Sequence, residues 1–124
     1  MRVLLLLCVW FVGGCAAEQQ RQELESTDSA QQKMSNDVDE AIKRAVERQD
    51  YRLYLTQGRR PVLPGLEQVS VESIKGSCGT KYLSETGDVI RGEDAKQDRI
   101  ARYNFAKAYN LQMYALCKKL RRDN

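Results

Sequence analysis

Ten consecutive residues without a charge or a polar amide, Val3 to Val12, stand near the start of a chain of 124 residues in which 30% are charged. That block constrains the fold more than any other feature, because it takes strongly apolar residues away from whatever core forms later. As a helix it would be roughly 15 Å long, about half of a hydrocarbon layer of roughly 30 Å. It is too short to remain as a membrane span. Arg2 precedes it, and Gly13, Gly14 and Cys15 follow, before an abrupt change to Ala16-Ala17-Glu18-Gln19-Gln20. A basic start, a short greasy core and small residues at its end describe an export signal. What remains has room for one small domain.

The junction Val12-Gly13-Gly14-Cys15 resembles the lipobox of bacterial lipoproteins, an aliphatic residue and two small residues before a cysteine. The likeness covers the first fifteen residues or so and departs slightly from the commonest pattern, which has Leu in place of Val12 and Ala or Ser in place of Gly13. It implies residues 1–14 as signal peptide, cleavage by signal peptidase II, and a diacylglycerol thioether with further acylation such as palmitate at Cys15. Two or more acyl chains give stable anchoring where one gives marginal binding. The residue after the lipidated cysteine is Ala16, not the Asp that tends to retain such proteins at the inner membrane. The expected location in a Gram-negative cell is therefore the outer membrane, periplasmic face, with the acyl chains on Cys15 as the membrane contact. Cleavage by signal peptidase I after Ala17 is the alternative and would leave the domain free in solution.

Loss of Arg2 with the signal changes the formal charge from +3 to +2. That near-neutral balance lacks the concentrated basic stripe of nucleic-acid binders, so no nucleic-acid partner is expected. Of four cysteines, Cys8 leaves with the signal and Cys15 carries lipid. Cys78 and Cys117 remain, and in an oxidising compartment they are expected to form a disulfide. Closing a loop of that length stabilises a domain by about 4 kcal/mol on the chain-entropy estimate. Histidine is absent, which leaves too few soft ligands for a structural zinc and no base of the Cys-His kind.

Residues 15–35 are rich in Gln, Glu and Ser and read as a lipidated polar tether, possible reach roughly 65 Å extended or about 30 Å as a helix. Met34, Val38, Ala41, Ile42, Ala45, Val46, Gln49 and Leu53 recur at helical spacing, which predicts a helix over 36–56, capped by Ser35, Asn36 or Asp37 and stopped by Gly58. Pro61 to Gly65 marks a connection. Residues 66–78 fit a strand or a helix; a short helix capped by Ser70 and ending at Gly79 is preferred, followed by a brief extended segment at Thr80–Leu83 and a polar turn at Ser84–Asp88. A last helix should begin near Glu93 or Asp94 and end among Lys118, Lys119, Arg121 and Arg122, in the sense its dipole favours. Phe105, Ala106, Tyr109, Met113, Leu116, Cys117 and Leu120 form its core stripe. The expected architecture is mostly α: a small helical domain, residues 36–124, of two main amphipathic helices plus a short helix or extended segment, stapled by one disulfide.

No phosphate loop, calcium loop or paired-cysteine metal motif is present, and Gly76-Ser77-Cys78-Gly79 lacks the spacing of a nucleophile elbow. The acids Glu85, Asp88, Glu93 and Asp94 cluster near a helix start. With no histidine to act as base the chain is read as a non-enzyme without catalytic residues, cofactor or metal, and a small carboxylate-dependent hydrolase is the remoter alternative. Tyr103, Tyr109 and Tyr114, with Asn104 and Asn110, could line a sugar- or peptide-binding surface. Ile100, Tyr103, Leu111 and Tyr114 form a second stripe on the last helix and are the candidate face for an envelope protein partner. The expected role is a structural or protein-interaction accessory of the cell envelope, with a small ligand-binding or hydrolase-inhibitor module as the alternative.

Overall fold

The computed structural model describes the backbone of residues 16–124 and the side chains from residue 27 onward; the expected export signal with Cys8, and Cys15, lie outside the described residues. The elements run α1 (Ala16–Glu47), β1 (Leu53–Thr56), α2 (Val71–Gly76), β2 (Thr80–Leu83) and α3 (Gly92–Arg122). The chain divides between Gln32 and Lys33 into two units, the first contributing helix and the second the packed domain. The mostly helical class with one disulfide is what the structure shows.

The expected helix over 36–56 is corrected at both ends. No glycine or proline interrupts the chain between Ala16 and Gln57, and the Gln-, Glu- and Ala-rich stretch has good helix propensity. The helix therefore runs from Ala16 through Ser35, Asn36 and Asp37, which do not cap it. It stops at Glu47 because Gln49 turns left-handed (φ 56°). The Gln49 N–H then donates to the Val46 carbonyl at 3.0 Å and the Asp50 N–H to the Ala45 carbonyl at 2.9 Å, satisfying carbonyls that the last turn would leave open. Leu53, counted on the helical stripe, lies instead in β1.

The two strands pair in parallel, with Leu53 opposite Thr80 and Thr56 opposite Leu83. A parallel pair needs a long crossover, and the proline-containing loop and α2 supply it. Ser70 caps α2 as expected, its Oγ accepting from the Ser73 N–H at 3.3 Å. Gly79, at φ +83°, then turns the chain into β2, where a Cβ would come within 3.0 Å of the Arg52 side chain. The extended segment at Thr80–Leu83 and the start of α3 also agree with expectation, within a residue or two.

Val38, Ala45, Leu53, Leu55, Leu63, Leu66, Ile74, Tyr109 and Met113 form the core. On the sheet face toward α3, Tyr54 meets Tyr109 edge-on at a centroid distance of 4.8 Å and Phe105 at 6.1 Å, geometry that aromatic quadrupoles favour. Alternation along β1 sends Leu53 and Leu55 to the other face, where both are buried. The short sheet is thus covered on both faces of β1, as parallel strands require.

Candidate functional site

Cys78 follows α2 and Cys117 lies on the buried stripe of α3, and the two are joined, with 5.9 Å between their Cα atoms. The link ties the end of the crossover to the last turns of α3. Beside it stands the most connected polar cluster of the domain. Asp50, just past the left-handed stop of α1, receives Arg52 Nε at 2.8 Å on Oδ1 and Arg52 Nη2 at 3.2 Å on Oδ2. Lys81 Nζ reaches the same Oδ2 at 3.3 Å and donates to the Tyr109 hydroxyl at 3.1 Å. Its ammonium also lies 4.7 Å from the Tyr54 ring centroid and 4.9 Å from that of Tyr109, within cation–π range.

Two acids of the cluster are held away from exchange near neutral pH. The Arg52 guanidinium beside Asp50 holds its carboxyl well below the usual carboxylate range, helped by the Arg52 N–H and by Lys81 and opposed by partial burial. Burial, with the Asp50 charge behind it, pushes the Tyr109 phenol up to about 12. Near neutral pH Asp50 is ionised and Tyr109 protonated, so neither group is poised to trade protons. The arrangement clamps loop, both strands and α3 together.

An open groove of about 710 Å³ adjoins this clamp, lined by Asp50, Tyr51, Arg52, both disulfide cysteines, Leu120 and Arg121, with Gln49, Ser77 and Asn124. Its charged lining is one carboxylate, already engaged, against two guanidiniums.

The face Ile100, Tyr103, Leu111 and Tyr114 does lie along one side of α3, but the chain's own loop occupies its middle. Tyr103 donates its hydroxyl to Glu67 Oε1, and a Cβ on Gly65 would come within 2.9 Å of Lys107 and 3.3 Å of Leu111. Gly65 therefore allows the loop to lie close against the helix, at φ +81°. Burial and the Glu67 carboxylate push the Tyr103 phenol up to about 12, and the Tyr103 hydroxyl with the Gly65 N–H holds Glu67 below its usual range. Tyr114 packs against the core under Lys118. Ile100 and Leu111 are the exposed members, at 45% and 48%.

Of the tyrosines and asparagines considered as a binding surface, Tyr109 is packed in the core as its place on the core stripe favours, and Asn110 is corrected from surface to core. Tyr109 and Asn110 are buried, and Asn110 works as a surrogate strand: its Oδ1 accepts from the Tyr54 N–H at 2.8 Å and its Nδ2 donates to the Tyr54 carbonyl at 2.9 Å and the Pro64 carbonyl at 3.0 Å. The acidic loop is committed internally too. Asp88 accepts from the Arg59 N–H at 3.0 Å, Glu85 pairs with Arg102 at 2.8 Å and Glu93 with Lys96 at 3.6 Å. Among the described residues, no three acidic or cysteine side chains gather in a way that could hold a metal ion. Asp50, Lys81 and Asn110 were not legible as one constellation, since Asp50 and Lys81 are 31 residues apart; the one signal was a polar Asn within an otherwise apolar helical stripe.

Comparison with known protein families, with characterised proteins and with solved structures finds no match to this chain.

Proposed function

We propose that this chain is a lipoprotein held by acyl chains on Cys15 at the periplasmic face of the outer membrane, and that its domain serves as a protein-interaction accessory of the envelope. The observation that carries the reading is the junction Val12-Gly13-Gly14-Cys15 directly after a short apolar block. Three features support it. The domain holds a disulfide, which belongs to oxidising compartments. Among the described residues no helix is long and apolar enough to cross a membrane, so a lipid would supply the attachment. The polar stretch after Ala16 is helical, and up to Gln32 it amounts to a spacer of roughly 25 Å at 1.5 Å per residue.

Fractionation tests the anchor. Inhibition of signal peptidase II should accumulate the precursor, and a Cys15→Ala chain should leave the membrane fraction; a Cys15→Ala chain that still sediments with membranes contradicts the proposal. A second reading, a small-ligand module, is favoured by the groove beside the disulfide, where Arg121 joins the Asp50–Arg52 pair and leaves a net positive charge that suits an anionic ligand. Titration with inorganic phosphate and with a short acidic peptide, read on the Arg52 and Arg121 resonances, separates it from the first.

A further inference from the structure

The two edges of the sheet are treated differently. Because the Leu53 N–H donates to the Gly79 carbonyl, the parallel ladder turns Lys81 and Leu83 amides toward β1 and those of Thr80 and Tyr82 away from it. Among the described residues nothing pairs with the outward groups of Thr80 and Tyr82, and Tyr82 is 65% exposed. An open row of this kind is a template for another strand, and native domains usually pair, cover or charge it. Here a cleft of about 420 Å³ runs beside it, lined by Tyr54, by Tyr82, Leu83 and Ser84, and by Ala101, Arg102 and Phe105 of α3. Arg102 adds an unfilled donor: Nη1 donates to Ser84 and Nη2 pairs with Glu85, but Nε is shielded from water without a partner.

We propose that β2 and the first half of α3 form a receptor for an extended polypeptide segment from another protein, which adds to the sheet as a third strand. Main-chain pairing with Thr80 and Tyr82 supplies the register, and apolar side chains at alternate positions of the segment enter the cleft between β2 and α3. Four residues of β2 extend roughly 13 Å, enough for a short linear segment. A second copy of this chain fits less well. Symmetric antiparallel pairing of two β2 strands would set both α3 helices on one face of the sheet, bringing two Arg102 guanidiniums into one cleft. This inference rests on the interaction-accessory reading and names its site; the Cys15 fractionation tests the anchor separately, so either can fail alone.

The test selects from a displayed library of random peptides of about ten residues against the full mature chain, then measures amide exchange with the enriched peptides bound. Enriched peptides should carry apolar residues at alternate positions and slow exchange at Thr80 and Tyr82 at least about tenfold. Affinity should fall about tenfold or more on Tyr82→Pro, which removes an outward donor without touching the ladder to β1. It should change less than about threefold on Tyr82→Thr, which keeps that donor. The exchange readout needs no variant, so it stands even if Tyr82→Pro fails to fold. Peptides that protect other amides, no enrichment at all, or Thr80 and Tyr82 amides that become protected with rising protein concentration in the absence of peptide would each overturn the proposal, the last by assigning the edge to a second copy.

Discussion

The outer edge of β1 and the outer edge of β2 face the same chemical problem and receive opposite treatment. On β1, Tyr54 is bound through both its N–H and its carbonyl by the Asn110 amide, and the Thr56 N–H donates to Val62 at 3.0 Å while the Val62 N–H returns to Thr56 Oγ1 at 2.9 Å. The Tyr54 N–H and carbonyl and the Thr56 N–H on that side are thus all matched within the chain. On β2 the corresponding groups face outward beside a cleft. A two-stranded sheet is marginal by itself, so its stability has to come from the closed side and from the helices. The open side is then free to serve binding.

Substitutions should separate the two sides by the size of their effects. Removing the disulfide by Cys78→Ser with Cys117→Ser releases the last turns of α3 from the crossover. It should cost about 4 kcal/mol, measured as the loss of unfolding free energy in urea. Asn110→Leu leaves the Tyr54 N–H and carbonyl and the Pro64 carbonyl unmatched on the closed edge. A loss of about 3 kcal/mol is expected in the same titration, and a loss under about 0.5 kcal/mol would mean that the amide is not closing the edge.

Asp50→Asn tests the clamp that joins both strands, with an expected cost of about 1–2 kcal/mol. The pH dependence gives its sign. Asp50 titrates below its ordinary value of 3.8 in the folded chain, so its stabilisation is complete above that value and is lost progressively as the pH falls below it. Asp50→Asn should flatten that acid limb of the stability profile. Tyr103 and Tyr109 titrate higher folded than unfolded, near 12 against 10, so they stabilise below pH 10 and lose that contribution as the pH rises toward 12. Smallest of all, Tyr82→Thr on the open edge should change stability by less than about 0.5 kcal/mol, since its ring is exposed and its backbone turns outward.

What the sequence made legible follows from how local each signal is. Ser70 as the cap of a short helix and acids opening and bases closing α3 are neighbouring-residue signals, and each fell where expected, whereas that short helix ends at Gly76, ahead of the expected stop at Gly79. The pairing of Cys78 with Cys117 followed once Cys8 and Cys15 were assigned to the expected signal and lipid site. Gln49 concealed the end of α1, because a left-handed stop is usually marked by glycine and here it is not. Leu53 continues the helical spacing from Val46 and Gln49 while also alternating with Leu55, so periodicity alone did not separate helix from strand. The role of Asn110 depended on β1 lying alongside α3, and the Asp50–Lys81 contact depended on the parallel register. Both are tertiary facts carried by no short window of residues.

Amide exchange at Tyr54 and Tyr82 in the free, full mature chain measures the contrast between the two edges most directly, since the residues belong to adjoining strands and differ in which edge they face. The Tyr54 amide should exchange only through global unfolding, and the Tyr82 amide about a hundredfold faster or more, through solvent at the open edge. Equal protection at the two positions in a monomeric sample would contradict the open edge and the receptor built on it.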